Sequence, residues 1–332
     1  MADPAMEGAQ QTNKRMMRGL ALIAAIFAVA GFAAFWALTI PATVPASALP
    51  AYTPNLANGK TMFEAGDCAS CHAVPNADPD KVDRTRLGGG LALPCPFGTF
   101  YVPNISPDRK DGVGSWSEAD FVSAMWDGTA PDGRQLYPVF PYTSFRHMQL
   151  NDVRDLFAYL KTLPPVPGKV RGPDLSFPFN IRRTVGIWKL LFLLGGRFVP
   201  DPSKSAQWNR GAYLVNGPAH CAECHSPRNS LGAIIESERF AGGPTLDGKD
   251  WVPNITPAGL QHGDNANSPW SQSDIASLLS DGMTPSGDFV GGAMAEVIRN
   301  TSLLSKDDRA AIAAYVASLP PRQGPTPPKK QD

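Results

Sequence analysis

Two Cys-x-x-Cys-His pentads, at residues 68–72 and 221–225, constrain this chain more than any other feature. They use four of its five cysteines and two of its five histidines. Two thiols spaced three residues apart can add to the two vinyl groups of one haem while the adjacent imidazole ligates its iron. A redox dithiol or half of a zinc site is the alternative, but neither pentad has a further Cys/His pair nearby. The pentads therefore predict two covalently bound haem c groups, attached through Cys68, Cys71, Cys221 and Cys224 and ligated by His72 and His225.

The surroundings of the two pentads also repeat. Val-Pro-Asn-Ile occurs at 102–105 and 252–255, Trp-Ser at 116–117 and 270–271, and similar segments ending in Leu-Pro-Pro at 158–165 and 314–321. So many matches in one order indicate a duplicated domain. We therefore predict one domain over 55–165 and a second over 205–323.

Each repeat contains the pattern of three short helices. One helix leads into the pentad, a second follows the Trp-Ser pair, and a third ends at Pro-Pro. Serine and asparagine are favoured N-caps. The predicted first helices are 58–65 and 205–216, and the predicted caps of the later helices are Ser117, Ser271, Asn151 and Ser305. Short helices around a buried macrocycle are typical of cytochrome c, so the fold class is mainly α, with two tandem cytochrome c domains plus an N-terminal transmembrane helix.

The N-terminal region contains a 22-residue stretch without charge, residues 19–40, preceded by Lys14, Arg15 and Arg18. It is long enough to cross a bilayer. A cleaved signal peptide is the alternative, since Ala-Ser-Ala at 46–48 resembles a cleavage site, but the apolar stretch is longer than a usual signal core. The basic residues place 1–18 in the cytoplasm. We predict a single-pass protein of the bacterial inner membrane with its haem domains in the periplasm, where haem c is attached.

Composition agrees with small domains. The formal net charge is zero, from 30 basic and 30 acidic residues, so nothing indicates nucleic acid as a partner. The 31 glycines and 33 prolines indicate short helices separated by long loops.

The sixth iron ligand differs between the repeats. Met294 lies seven residues after Gly287 in a glycine-rich loop, and a thioether there raises the potential of its haem. The residue seven after the matching Gly133 is Phe140, so the first haem lacks a methionine at that position. Three residues could replace it: Met148, which we favour, His147, and Cys95; an open site without a sixth protein ligand is the remaining alternative.

Two segments lie outside the repeats. The linker, 166–204, contains the apolar run 185–194, which is too short to be a second span. We expect an inter-domain packing helix there, with an apolar face on the membrane or on a partner subunit as the alternative. The tail, 324–332, is rich in Pro and Lys and is expected to be disordered.

Several strings resemble the cytochrome c subunits of periplasmic alcohol, aldehyde and related dehydrogenases. They are Cys-Ala-Glu-Cys-His-Ser-Pro-Arg-Asn at 221–229, the doubled Val-Pro-Asn-Ile, Tyr-Pro-Val-Phe-Pro-Tyr-Thr-Ser at 137–144 and Met-Ala-Glu-Val at 294–297. The resemblance covers roughly residues 55–323. Many members carry three haems and a methionine where Phe140 stands, and this chain departs from both patterns.

The resemblance implies an electron-transfer subunit without a substrate of its own. Such a subunit takes electrons from a dehydrogenase catalytic subunit and passes them to quinone, a soluble cytochrome or a terminal oxidase. The alternative is a dihaem redox enzyme of the peroxidase or thiosulfate dehydrogenase type, which would use a modified first haem site. A haem-based sensor is a third class, but no output domain is visible in the sequence.

Overall fold

The computed structural model describes residues 4–78, 81–262 and 268–327, and these form a mainly helical protein. It begins with a long helix, α1, over Pro4–Leu38. Its part from Asn13 to Leu38 is apolar enough to be a candidate membrane span and is exposed. At about 1.5 Å per residue, its 26 residues exceed the roughly 30 Å of a bilayer's hydrocarbon core. The helix begins earlier than the predicted span and includes most of the predicted cytoplasmic tail.

The described residues of the first half, 55–78 and 81–165, contain five helices and most of a small antiparallel sheet. The order of strands in the sheet is β1-β2-β3. The third strand comes from the linker. The helices are α2 Leu56–Ala65, α3 Cys68–His72, α4 Glu118–Asp127, α5 Tyr142–Phe145 and α6 Leu150–Leu160, and the strands are β1 Ala92–Cys95, β2 Gly98–Tyr101 and β3 Asp174–Leu175.

The second half, residues 205–323, repeats this order of elements. A helix, α7, over Val185–Phe192 precedes it in the linker. The elements of the second half are α8 Ala206–Asn216, α9 Ala222–His225, β4 Gly243–Pro244, β5 Trp251–Val252, α10 Gln272–Asp281, α11 Ala293–Thr301 and α12 Lys306–Ala317.

The serine caps predicted from the sequence are confirmed. Ser117 accepts a hydrogen bond from the backbone N–H of Asp120, whose carboxylate accepts one in return, and Ser271 forms the same capping box with Asp274. Ser305 caps α12. The prediction that Asn151 caps α6 is wrong, because the helix already begins at Leu150 and no side chain caps it.

In each half the first helix crosses the last helix at a glycine. A Cβ on Gly59 of α2 would lie 2.1 Å from the carbonyl oxygen of Asp155 in α6. A Cβ on Gly211 of α8 would lie 1.9 Å from the carbonyl oxygen of Ala311 in α12. Only glycine allows backbones this close, so both halves use the same packing device.

The hydrophobic core is one cluster of buried side chains that continues from the first half into the second. Tyr213 of α8 lies at this junction, where its hydroxyl accepts a hydrogen bond from the backbone N–H of Gln149 at 3.2 Å. The side chain of Met148 is fully buried there. The two halves therefore pack as one body.

The linker is folded onto the first half. Its β3 pairs with β2, and Lys189 of α7 donates hydrogen bonds to the carbonyl oxygens of Asp127 and Gly128 at 2.5 and 2.7 Å. The side-chain N–H of Trp188 donates to the carbonyl oxygen of Leu231 in the second half at 2.9 Å. The expected packing helix is therefore present. Of the predicted disordered tail, residues 328–332 lie outside the described residues, and Gly324 packs against Ala241.

Candidate haem sites

Each pentad occupies a short helix that presents its two cysteines on one turn. The first forms α3, and in the second Cys221 is the N-cap of α9. Residues three apart on a helix lie on the same face, so each pair of thiols can reach one macrocycle. None of the five cysteines, which all lie in the described ranges, is in a disulfide.

The two pentad histidines have identical hydrogen-bond partners. Nδ1 of His72 lies 2.8 Å from the carbonyl oxygen of Pro103, and Nδ1 of His225 lies 2.8 Å from that of Pro253. A carbonyl can only accept, so Nδ1 carries the proton and Nε2 keeps the lone pair that ligates a metal. Burial lowers the pKa of His72 to about 4 and also lowers the pKa of His225. Both rings are therefore neutral at pH 7, as an iron ligand must be.

Asparagine side chains hold the loops that carry these two carbonyls. Asn104 donates to the carbonyl oxygen of Val166 at 2.7 Å, and Asn254 donates to that of Arg322 at 2.8 Å. In each half the amide oxygen accepts the backbone N–H two residues later. The repeated Val-Pro-Asn-Ile motif thus connects the histidine-holding loop to the segment after the last helix.

Two buried polar atoms in the described part of the chain lack a hydrogen-bond partner. They are the hydroxyl of Tyr142 and Nε of Arg146, both on or directly after α5. Buried polar groups are normally paired. Burial raises the pKa of Tyr142, so its hydroxyl stays a donor. Both atoms could donate to the carboxylates of a haem, and together with the thiols and neutral imidazoles they fit that group.

Met294 is the second residue of α11 and is partly buried against the core. The helix follows Gly292, whose backbone angles of φ 60° and ψ −145° are accessible essentially to glycine alone. This conformation explains why a glycine-rich stretch precedes the methionine. Its role as an iron ligand stays a prediction.

Met148 is placed differently. It lies just before α6, and its carbonyl oxygen accepts the indole N–H of Trp126 at 3.2 Å. Its Cγ lies 3.8 Å from the position a Cβ on Gly217 would take. The corresponding residue before α12 is Leu304, which is also buried. A buried apolar side chain at this position is therefore common to both halves, whichever ligand the first haem uses.

The other candidate ligands of the first haem, His147 and Cys95, lie in different segments and have different partners. Nδ1 of His147 lies 2.6 Å from the carbonyl oxygen of Gly196, which holds the ring against the linker. Cys95 ends β1 and pairs with Gly98. The ring of Phe140, at the position where the ligand is missing, lies 5.5 Å, centroid to centroid, from that of Phe145. The structure does not bring these side chains together.

The first pentad forms contacts with α11 that sequence reasoning missed. Asn300 of α11 donates to Asp67, the residue before Cys68, and to Ser70 inside the pentad. Arg84 donates to Glu296 of α11 at 3.1 Å. The same helix carries Met294 at its start. The first pentad is therefore bonded to the helix that begins with the proposed sixth ligand of the second haem.

The second pentad forms the reciprocal contact with α5. Its third residue, Glu223, accepts hydrogen bonds from the hydroxyls of Thr143 at 2.5 Å and Ser144 at 2.9 Å. Arg228 donates to the same carboxylate at 2.7 Å. Burial alone would raise the pKa of Glu223, but Arg228 and the two hydroxyls outweigh it and lower the pKa. The carboxylate is therefore ionised.

The two pentads also approach each other directly. Nε2 of His220, the residue before Cys221, lies 3.2 Å from the carbonyl oxygen of Gly66, close to Cys68. Asp67 and His220 hold matching positions before their pentads, and both have positive φ angles, 51° and 38°. One sequence signal pointed to this contact between the halves: the second pentad has an acidic third residue, Glu223, which is not needed for haem attachment.

Comparison with known proteins identifies the family. The family model for cytochrome c matches residues 56–164. The chain is 46% identical over 305 residues to a "Diheme cytochrome c-type" protein of Cereibacter sphaeroides, over 92% of this chain and 99% of that protein. The chain belongs to the cytochrome c family. As a member, this cytochrome carries covalent haem c, in agreement with the pentads and the neutral histidines.

Two further relatives are larger proteins. This cytochrome is 38% identical over 315 residues to a nicotinate dehydrogenase component of Pseudomonas putida, covering 94% of this chain and 25% of the relative. It is 38% identical over 280 residues to the fructose dehydrogenase cytochrome subunit of Gluconobacter japonicus, covering 83% of this chain and 54% of the relative. It therefore spans about a quarter and about half of those two proteins.

Proposed function

We propose that this cytochrome holds two haem c groups, one in each of two tandem cytochrome c domains, and relays electrons between them. The first haem is attached to Cys68 and Cys71 and ligated by His72. The observation that carries the proposal is the reciprocal contact of the pentads: each is hydrogen-bonded to a helix of the other half. In one case that helix, α11, contains Met294, and in the other, α5, it precedes Met148. This arrangement would bring the two pairs of pentad cysteines, and so the haems bound to them, to one interface.

The second haem is attached to Cys221 and Cys224, with His225 and Met294 as ligands. Met148 remains the proposed sixth ligand of the first haem. Haem iron supplies reversible one-electron chemistry. The chain's residues do the rest: they orient the imidazoles, keep them neutral and exclude water. A methionine ligand on one haem and a different ligand field on the other would separate their potentials and set the direction of transfer.

The proposed electron donor is a dehydrogenase catalytic subunit. The relatives named for nicotinate and fructose dehydrogenases support this class of partner. The acceptor is a quinone, a soluble cytochrome or a terminal oxidase. Helix α1 serves as the membrane anchor in this proposal and places both domains in the periplasm.

Capture of the native protein from gently solubilised membranes tests the partnership. An affinity-tagged chain should bring down a dehydrogenase catalytic subunit, and adding that enzyme's substrate should reduce the haems of the complex. A variant that lacks the pentad thiols Cys68 and Cys71 is the control for reduction. Recovery of the chain without a dehydrogenase, or haems that the substrate of the co-purified dehydrogenase does not reduce, would contradict the proposal.

One observation favours a second function, that of a dihaem redox enzyme. Phe140 stands where a sixth ligand is expected in the first half, and it packs among aromatic rings. If no other residue ligates that iron, the reduced protein should bind carbon monoxide at one haem and turn over hydrogen peroxide or thiosulfate. A relay with two six-coordinate haems should do neither.

A further inference from the structure

The linker helix α7 has an unusual orientation: its charged residue points inward, while several of its large apolar residues point outward. Lys189, the only charged residue of the helix, donates to two backbone carbonyls of the first half and to Oε1 of Gln135 at 2.5 Å. Leu190 and Leu191 are each 55% exposed, and Leu194, two residues past the helix, is 65% exposed. Ordinary surface helices show the opposite pattern.

The exposed face continues into the segment before the helix. Ile187 of α7 is 41% exposed, Ile181 is 43% exposed and Phe177 is 78% exposed. Single exposed apolar residues are normal on a protein surface, but a group of large ones indicates an interaction site. We refer to Ile187, Leu190, Leu191 and Leu194 as the α7 face.

The start of α7 is bound to the end of the candidate membrane span. Arg183, two residues before α7, donates to the hydroxyl of Thr39 and to the carbonyl oxygen of Trp36, both at 2.7 Å. Its guanidinium lies 4.2 Å from the centroid of the Trp36 ring. A Cβ on Gly186 would lie 2.6 Å from Cβ of Thr39, so α7 is in close contact with the residue that directly follows α1.

We infer that the α7 face rests in the outer boundary of the membrane that α1 spans. Tryptophan is enriched at both membrane–water interfaces, and an arginine near a helix end can extend its charge to the interface; Trp36 and Arg183 form such a pair at the end of α1. A helix bound to that point lies at the same depth. An interfacial helix buries its apolar face among headgroups and upper acyl chains. The inference rests on the proposed anchoring by α1.

A lipid surface fits the α7 face better than a protein partner does. The face carries no charge, and it adjoins the candidate span rather than a pentad. The contact gives the haem domains two attachments to the membrane instead of one. Together, the two attachments would fix which side of the pentad interface faces away from the lipid.

A fluorescence quenching experiment on the full chain tests this inference. Cys95 is the only cysteine outside the pentads, so a Cys95→Ser background allows one new thiol to be labelled with bimane. Labels on Leu190→Cys, Leu303→Cys and Gly31→Cys variants report on α7, on an exposed loop of the second half and on the candidate membrane span of α1. Each protein is reconstituted in phosphatidylcholine/phosphatidylglycerol vesicles with or without a nitroxide-labelled lipid. An unchanged haem absorption spectrum shows that each variant is folded.

The label on the Leu190→Cys variant should lose about half or more of its fluorescence to a nitroxide near the headgroups, because an interfacial face lies about 5–10 Å into that boundary. The label on Leu303→Cys, a residue 61% exposed, should be unaffected. Quenching of the Gly31→Cys label by a mid-chain nitroxide shows that α1 is inserted. If that label is quenched and the Leu190→Cys label is not, the inference is wrong and the anchor stands. If neither is quenched, both the anchor and the inference fail.

Discussion

Replacing Glu223 by glutamine should weaken the contact between the two halves of the cytochrome. One carboxylate oxygen accepts two hydroxyls from α5, and the other accepts Arg228 at 2.7 Å. The side chain is only 9% exposed. Glutamine has the same shape but no charge, so the substitution isolates the electrostatic part of this contact.

The magnitude follows from the partners that remain. A hydrogen bond to a charged group contributes about 1.5–3 kcal/mol, and a neutral one about 1 kcal/mol. Arg228 keeps two backbone acceptors, the carbonyl oxygens of Glu223 and Gly232 at 2.6 and 2.8 Å, so it is not left unpaired. We therefore expect Glu223→Gln to lower the free energy of unfolding by about 2–3 kcal/mol, less than the loss of a whole buried ion pair.

Urea unfolding monitored by haem absorbance and circular dichroism measures this loss. Glu236→Gln is the matched control, because Glu236 pairs with Arg239 three residues away and is 63% exposed. It should change the free energy of unfolding by less than about 1 kcal/mol. In a double-mutant cycle, Glu223→Gln and Thr143→Val should show a coupling of about 1 kcal/mol. Equal losses in Glu223→Gln and Glu236→Gln, or no coupling, would refute this reasoning.

Four further predictions follow from the same structure. The pKa of Glu223 lies below its ordinary value of 4.5, so the stability that its charge contributes is fully present above pH 4.5 and is lost as the pH falls through the folded-state pKa. In urea unfolding measured at a series of acidic pH values, the Glu223→Gln variant should lack this part of the fall in stability. Met294→Ala should lower the midpoint potential of one haem or open its iron to imidazole, and an unchanged potential and spectrum would argue against it as a ligand. Met148→Leu introduces the residue found at the matching position 304 and keeps the packing. If Met148 is a ligand, the methionine–iron charge-transfer band of one haem should disappear; if Met148 only fills the hydrophobic core, the absorption spectrum should not change. Gly59→Ala should destabilise the protein by about 1–3 kcal/mol in thermal unfolding through its clash with α6, whereas Gly172→Ala, with open space around it, should not.

Local sequence signals predicted much of this fold. The serine caps of α4, α10 and α12 follow from residue type and spacing, because a cap is satisfied by its own helix. Gly59 of α2 and Gly211 of α8 lie at matching positions of the two repeats, but only the structure shows that each permits a close helix crossing. Asn151 failed as a cap because Leu150 already lies in the helix.

Contacts between the halves could not be read from the sequence. Thr143, Ser144 and Asn300 are ordinary polar residues in their own elements, and their partners lie about 80 or more than 200 residues away. The inward direction of Lys189 is a similar case, because hydropathy alone would turn its helix the other way. Such long-range pairing depends on how the halves dock, and no local pattern specifies that.

The central claim is that electrons pass between two haems within one chain, and time-resolved photoreduction tests it most directly. A brief light pulse with a soluble photoreductant delivers less than one electron per protein, and absorbance then follows each haem. We predict a slower second phase, in which one haem is reoxidised as the other is reduced, with a rate independent of protein concentration. A second phase whose rate rises in proportion to protein concentration, or no redistribution at all, would contradict the account.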